Sequence, residues 1–237
     1  MFKRYIADIF KTLVNNFSSV SEKSGSSFCI RPQRSQDFFV YGAVLAGGQS
    51  RRFGKDKARF KWQGVSFVER VCLALERSGL PVCIILKKDQ AYYYKDSGRK
   101  ILPDLYPQQT PLVGLLTALE SLPSEWVFVT ACDMPAICPR LIKGLIHLAQ
   151  ESPAEAIIPV YKSRPQPLLG LYRRTILEQA RNHLRRKELS LQRLLSSLRR
   201  HLVSERLWRS LDPQGTSFLN INYPEDVSRL TKALGRL

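Results

Sequence analysis

The sequence predicts an α/β fold: a single three-layer α/β/α Rossmann-like domain built on a mostly parallel sheet. Three observations carry the prediction. From residue 38 onward, short apolar runs alternate with segments of helical periodicity. The runs are continuously apolar, without the in–out alternation of a half-exposed sheet, as expected of strands covered on both faces. The first run ends in a glycine-rich basic loop, and in such sheets ligands sit beyond the carboxyl ends of strands.

In chain order, "FVYGAVLA" (39–46) reads as a buried strand and "SFVERVCLALERSG" (66–79) as a helix closed by Gly79. "PVCIIL" is a strand, "QAYYYKDSG" the surroundings of a helix, and "RKILPD" a short strand. "PLVGLLTALESL" is a helix, "EWVFVTACD" a strand, and "CPRLIKGLIHLAQ" a helix. Strands follow at "AEAIIPVY" and near "QPLLGLY", then helices through 173–198 and a terminal helix opened by "NYPED". No internal repeat is visible.

The chain has 237 residues, enough for a substantial core, and its 44% hydrophobic and 24% charged residues are those of a soluble globular protein. Its formal charge of +17 draws in anions, whether nucleic acid, anionic lipid or phosphorylated small molecules. Residues 181–209 carry nine Arg or Lys against two Glu. With Leu184, Leu191, Leu194, Leu195 and Leu198 as an apolar stripe, they read as an amphipathic helix pair with a solvated basic face. The cysteines Cys29, Cys72, Cys83, Cys132 and Cys138 are scattered without a CxxC pair, which disfavours a zinc site and fits a reducing, cytoplasmic compartment. No apolar run is long enough for a membrane span. Residues 1–37 read as a separate basic extension: an amphipathic helix ("MFKRYIADIFKTLVNNF"), then a flexible Ser-rich linker. A docking helix, a targeting segment and a misplaced gene start all fit it, although it lacks the apolar core of a secretory signal. Residues 38–237 form the domain proper.

The loop "VLAGGQSRRFGKDKA" (44–58) concentrates the chemistry. Gly47 and Gly48, lacking Cβ, can take positive φ and approach a phosphate, with successive N–H groups forming an anion nest. Arg51, Arg52, Lys55 and Lys57 bring charge to the same place. A Walker A loop is excluded because Gly54-Lys55 is followed by Asp56, not Ser or Thr, and the dinucleotide fingerprint G-x-G-x-x-G is absent.

The stretch does resemble the L-A-[AG]-G-x-S-x-R-M-G-x-D-K signature of nucleotidyltransferases that activate a phosphorylated acceptor with a nucleoside triphosphate. Leu45, Ala46, Gly47, Gly48, Ser50, Arg52, Gly54, Asp56 and Lys57 stand in register, with Phe53 replacing Met as an apolar anchor. Gly47 is similar to the molybdenum cofactor guanylyltransferases of the MobA type. The resemblance continues through "ILPD" ending at Asp104, "TPLVG" ending at Gly114, "VFVTACDMP" with Asp133, "SRPQPLLGLYRR" and "FLNINYPEDVSRL", so it covers nearly all of 42–230. Thr110 stands where Gly is common, and Lys87 and Lys88 occupy the neighbourhood of a family Asn.

The resemblance implies attack by the terminal phosphate of molybdopterin, or of its molybdenum form, on the α-phosphorus of GTP. Lys57 and Arg52 would offset phosphate charge, with the backbone of Leu45, Ala46, Gly47 and Gly48 around the triphosphate. Asp133 would hold Mg²⁺ and Asp104 would contact the nucleotide or orient the site. Asn220 and Asn222 would face the second substrate, although asparagines that only cap a turn would look the same. Contacts with molybdoenzymes or other cofactor-biosynthesis proteins are expected partners. The alternatives are a cytidylyltransferase for molybdopterin, a sugar-phosphate nucleotidyltransferase, or a basic binding module on a degenerate scaffold. Nucleic acid is disfavoured because no aromatic platform accompanies the basic residues.

Overall fold

The structure, a computed structural model, describes residues 38–48, 53, 56–94 and 97–235; the extension 1–37 and Arg52 lie outside them. Its strands are β1 (Val40–Leu45), β2 (Lys61–Trp62), β3 (Val65–Ser66), β4 (Val82–Leu86), β5 (Lys100–Pro103), β6 (Trp126–Ala131), β7 (Ala156–Tyr161), β8 (Arg164–Pro165), β9 (Leu169–Arg173) and β10 (Arg200–Val203). The helices are α1 (Phe67–Arg77), α2 (Pro111–Ser121), α3 (Pro139–Glu151), α4 (Leu177–Arg185), α5 (Leu191–Ser197), α6 (Glu205–Trp208) and α7 (Val227–Leu234).

The main sheet has the order β10-β7-β9-β6-β1-β4-β5, with β8 paired to β7. β1 pairs in parallel with β4 and β6, β4 with β5, and β7 with β10. β9 runs against both β6 and β7, so the sheet is mixed but mostly parallel. The continuous apolarity of the strands has its reason in two cores. Val82, Ile84 and Leu86 of β4 pack on one face with α1 and α3, while Cys83 and Ile85 face α2, α4 and α5. Each aliphatic side chain buried this way contributes about 1.5–3 kcal/mol relative to exposure.

Helix ends follow the sequence chemistry. Ser66 caps α1, its hydroxyl accepting the Glu69 N–H at 3.3 Å, and Pro starts both α2 and α3. The segment expected as a helix around "QAYYYKDSG" is instead 3₁₀, Lys88–Tyr94. Only Ala91 and Tyr94 pack on the core, three residues apart, which suits three residues per turn and supplies no α-helical stripe. A β2–β3 hairpin precedes α1, turned by Gln63 (φ 50°) and Gly64 (φ 79°), a two-residue loop with positive φ at both positions.

In the basic region, Leu191, Leu194, Leu195 and Leu198 are buried and Leu184 is half-buried, as the stripe predicts. The helical reading stops short, however: Arg200–Val203 is the edge strand β10, which begins at the exposed Arg200. Charge at such an edge discourages pairing with another chain.

Candidate functional site

The strand order reverses about β1, whose neighbours β4 and β6 are reached by crossovers in opposite directions, and a crevice opens at the carboxyl ends there. Backbone bonds beyond the strand ends knit this edge together. The Ala46 N–H donates to the Ile85 carbonyl at 2.7 Å, Cys132 N–H to Leu45 at 3.1 Å, and Asp104 N–H to Leu86 at 2.9 Å. The crevice holds a cavity of about 470 Å³ whose walls include Leu45, Gly47, Gly48, Lys57, Asp104 and Asp133. Residues from four separate stretches of sequence thereby meet at one place.

Lys57 stands at the centre of the polar wall. Its amine donates to Asp133 Oδ2 at 3.1 Å and to Asn222 Oδ1 at 3.2 Å. Both members of the ion pair are well covered, with side-chain exposures of 13% for Lys57 and 24% for Asp133. Two features deliver the lysine there. Phe53 is buried against Phe60 and Phe67, at ring centroid separations of 5.0 and 6.2 Å, in a third core shared with Ile221 and Leu230. Asp56 Oδ1 then accepts the Ala58 N–H at 3.1 Å, turning the chain across Lys57.

The C-terminal segment is fixed to the same point. The Ile221 N–H donates to the Asp133 carbonyl at 2.9 Å, and Asp226 Oδ2 accepts the N–H groups of Asn222 and Tyr223, each at 3.0 Å. Asn222 thus joins the Lys57 cluster, whereas Asn220 is exposed and outside it. That Asn222 would touch Lys57 has no sequence signal, since the two lie 165 residues apart.

On the opposite wall, Asp104 has one oxygen, Oδ1, buried without a hydrogen-bond partner. Burial pushes its carboxyl up to about 6, with the charge of Lys87 opposing that rise. The hydroxyl of Thr110, at the start of α2, is likewise buried and unpartnered. Deeper in the wall, burial pushes the Cys132 thiol up to about 12, so it stays a neutral packing group.

The glycines differ from expectation in their reason for being there. Neither Gly47 nor Gly48 takes a positive φ. Gly47 is required by close approach instead: a Cβ would lie 3.2 Å from Leu86 Cα and Lys87 N and 3.4 Å from Asp104 Oδ2. A Cβ on Gly48 would meet nothing within 4 Å, because it would point into open space. Ala46 also departs from the expected nest. Its N–H is spent on Ile85 and its side chain is buried, so the amides of Gly47 and Gly48 alone remain from that trio. Among the described residues no cluster of three or more His, Cys, Asp or Glu could hold a metal by itself, and no helix is long and apolar enough to cross a membrane.

Comparison with known proteins gives a consistent answer. A 197-residue match at 32% identity, covering 81% of this chain and 96% of the relative, is to a probable molybdenum cofactor guanylyltransferase of Bacillus cytotoxicus. Another, at 30% identity over 82% of this chain and 96% of the relative, is to the molybdenum cofactor guanylyltransferase of Desulfosudis oleivorans. Among solved structures, the molybdopterin-guanine dinucleotide biosynthesis protein A of Archaeoglobus fulgidus shares the fold with a TM-score of 0.73 at 24% identity, covering 83% of this chain and 100% of that one. The profile of the MobA-like NTP transferase domain matches residues 42–204, and the chain belongs to that family.

Proposed function

We propose that this chain transfers GMP from GTP to molybdopterin, or to its molybdenum form, making the guanine dinucleotide cofactor and releasing pyrophosphate. The observation that carries the reading is the Lys57 amine, held between Asp133 and Asn222 on the wall of the switch-point cavity. Relatives named for this activity match along most of the chain. We also propose that residues 38–237 act as one catalytic domain with 1–37 as an extension, and that the enzyme works in the cytoplasm, where the free thiols of Cys72, Cys83, Cys132 and Cys138 would stay reduced. Molybdoenzymes or other cofactor-biosynthesis proteins would be the partners that exchange its substrate and product.

In the transfer, a terminal phosphate oxygen of the acceptor bonds to the α-phosphorus of GTP while the bond from that phosphorus to the bridging oxygen breaks, and pyrophosphate carries the electron pair away. Such a reaction needs placement and charge neutralisation more than covalent help. Lys57 supplies a positive charge at the triphosphate, and the Gly47 and Gly48 amides hold its oxygens. Arg52 would add a second cation from the same loop. The Asp104 carboxyl on the cavity wall would accept from the N–H edge of guanine or orient the site. Asn222 sits where the two substrates would meet, with Asn220 further out on the acceptor side.

The donor set also fits Mg²⁺. Asp133 opens on the cavity that Asp104 also lines, and Mg²⁺ is commonly held by one or two carboxylates plus substrate phosphates. Asp133 would hold it. The ion, when bound, would neutralise phosphate charge.

The test is to incubate the full chain with molybdopterin, Mg²⁺ and each of GTP, CTP, UTP and ATP, measuring pyrophosphate and the dinucleotide product. GTP-dependent product is expected, abolished in Lys57→Ala and Asp133→Ala without loss of fold. A product formed from CTP in preference would replace guanylyl by cytidylyl transfer, and full activity in both variants would remove the site assignment.

A further inference from the structure

A second cavity, also of about 470 Å³, lies between α1 and α3 and shares no wall residue with the first. Arg70 and Arg77 stand about two turns apart on the same stripe of α1, and Arg140 is in the first turn of α3. The Ser78 hydroxyl donates to the Pro139 carbonyl at 3.3 Å, which sets the last turn of α1, with Arg77, beside the first turn of α3, with Arg140. Neither Arg77 nor Arg140 has an acidic partner among the described residues, whereas Arg99, Arg173 and Arg181 each do. Arg70 lies 4.3 Å over the Trp62 ring and donates one N–H to the Trp62 carbonyl at 2.8 Å, but its Nε is buried and unpartnered.

Asp212 is the one acid in this wall. Its oxygens already accept the Thr216 N–H at 3.1 Å, the Thr216 hydroxyl at 3.3 Å and the Ser217 N–H at 2.9 Å. It therefore offsets part of the arginine charge without pairing with any guanidinium. The first turn of α3 has no side-chain cap, and its positive dipole end adds to the same field. The wall also carries an apolar part, with Val65, Leu73, Ala136 and Leu234, beside the polar Gln214 and Thr216.

We infer that this cavity is a second anion site, distinct from the nucleotide crevice, that takes a small phosphomonoester. The guanidinium forks match phosphate oxygens in geometry and charge, and the apolar wall takes a compact organic body that bare phosphate lacks. The pocket is built from α1, α3, the turn at 135–138 and the loop at 212–216, and none of its wall residues lines the nucleotide crevice.

Equilibrium dialysis of the full chain with labelled phenyl phosphate tests it. The wild type is expected to bind one equivalent saturably, with inorganic phosphate competing more weakly. The Arg77→Met/Arg140→Met double variant is expected to bind about tenfold more weakly or worse, as loss of charge-assisted hydrogen bonds implies. Lys57→Ala is expected to bind as the wild type does. Both arginines are exposed, and near-UV circular dichroism verifies that the double variant keeps its fold. Absence of saturable binding, unchanged binding in the folded double variant, or loss of binding in Lys57→Ala would each overturn the inference. Equal affinity for inorganic and phenyl phosphate would overturn its organic part.

Discussion

Replacing Lys57 by Ala removes a cation that faces Asp133 at 3.1 Å and Asn222 at 3.2 Å. At that distance and an effective dielectric of about 20, the Coulomb attraction of the pair is about 5 kcal/mol before desolvation is counted. Exposed pairs deliver at most about 1 kcal/mol, and breaking a fully buried one costs about 3–5 kcal/mol. With exposures of 13% and 24% the pair lies between these limits, so the variant should lose about 1–3 kcal/mol of stability. Urea unfolding of Lys57→Ala, Asp133→Ala and the double variant measures the coupling directly, because the double variant should lose less than the sum. Activity should fall further than stability. Removing one preorganised charge from a transfer site costs about 10²–10³ in rate, read in single-turnover GTP assays under conditions where the variant stays folded. A coupling of zero would show that the pair contributes nothing to the fold. A Lys57→Ala enzyme within tenfold of wild type would refute the role of the amine in transfer.

Asp104→Asn tests the effect of burial on the opposite wall. The folded protein raises this carboxyl to about 6, against about 3.9 when unfolded. The wild type therefore pays no penalty below the unfolded value, loses stability as pH rises between the two, and carries the whole penalty above the folded value. The difference in Tm, variant minus wild type, should grow from pH 4 to pH 7, and a flat difference would contradict the burial argument. Gly170→Ala would place a Cβ 2.3 Å from Ile158 Cδ1 and 2.9 Å from the Ile157 carbonyl. The isoleucine can turn but the backbone cannot, so the urea midpoint should drop by about 1–3 kcal/mol worth of stability at unchanged m. A variant as stable as wild type would show that β7 and β9 can separate freely. Asp226→Ala removes the acceptor of the Asn222 and Tyr223 N–H groups, at a cost of about 1 kcal/mol. It should also lower kcat/KM several-fold by loosening Asn222 on Lys57; unchanged kinetics would mean that Asn222 is held by other contacts.

The alternation of strands and helices was legible because strands buried on two faces are apolar throughout and their covering helices carry stripes. Strand direction was not: β9 has the same apolar character as its neighbours, and nothing in "LLGLY" records that it runs against them. β10 was hidden because its basic residues continued the charge pattern of α4 and α5. In the candidate site, Lys57 and Asp133 were legible from their motifs, but their pairing across 76 residues is purely tertiary. The positive φ expected at Gly47 is absent, and the crowding by Leu86 and Lys87 that excludes a Cβ there leaves no trace in local sequence.

Lys57 comes early in the chain and Asn222 near its end, with the Asp133 carbonyl tied to Ile221 between them. The family profile ends at residue 204, short of the segment that completes this arrangement. Closing so long a loop is entropically slow compared with forming local helices. During synthesis, the sheet edge can assemble from the first two-thirds of the sequence, yet the lysine finds its amide partner only after residue 222 has emerged from the ribosome. A chain stopped before residue 222 would keep the Lys57–Asp133 ion pair but lack the Asn222 amide that holds the lysine from its other side.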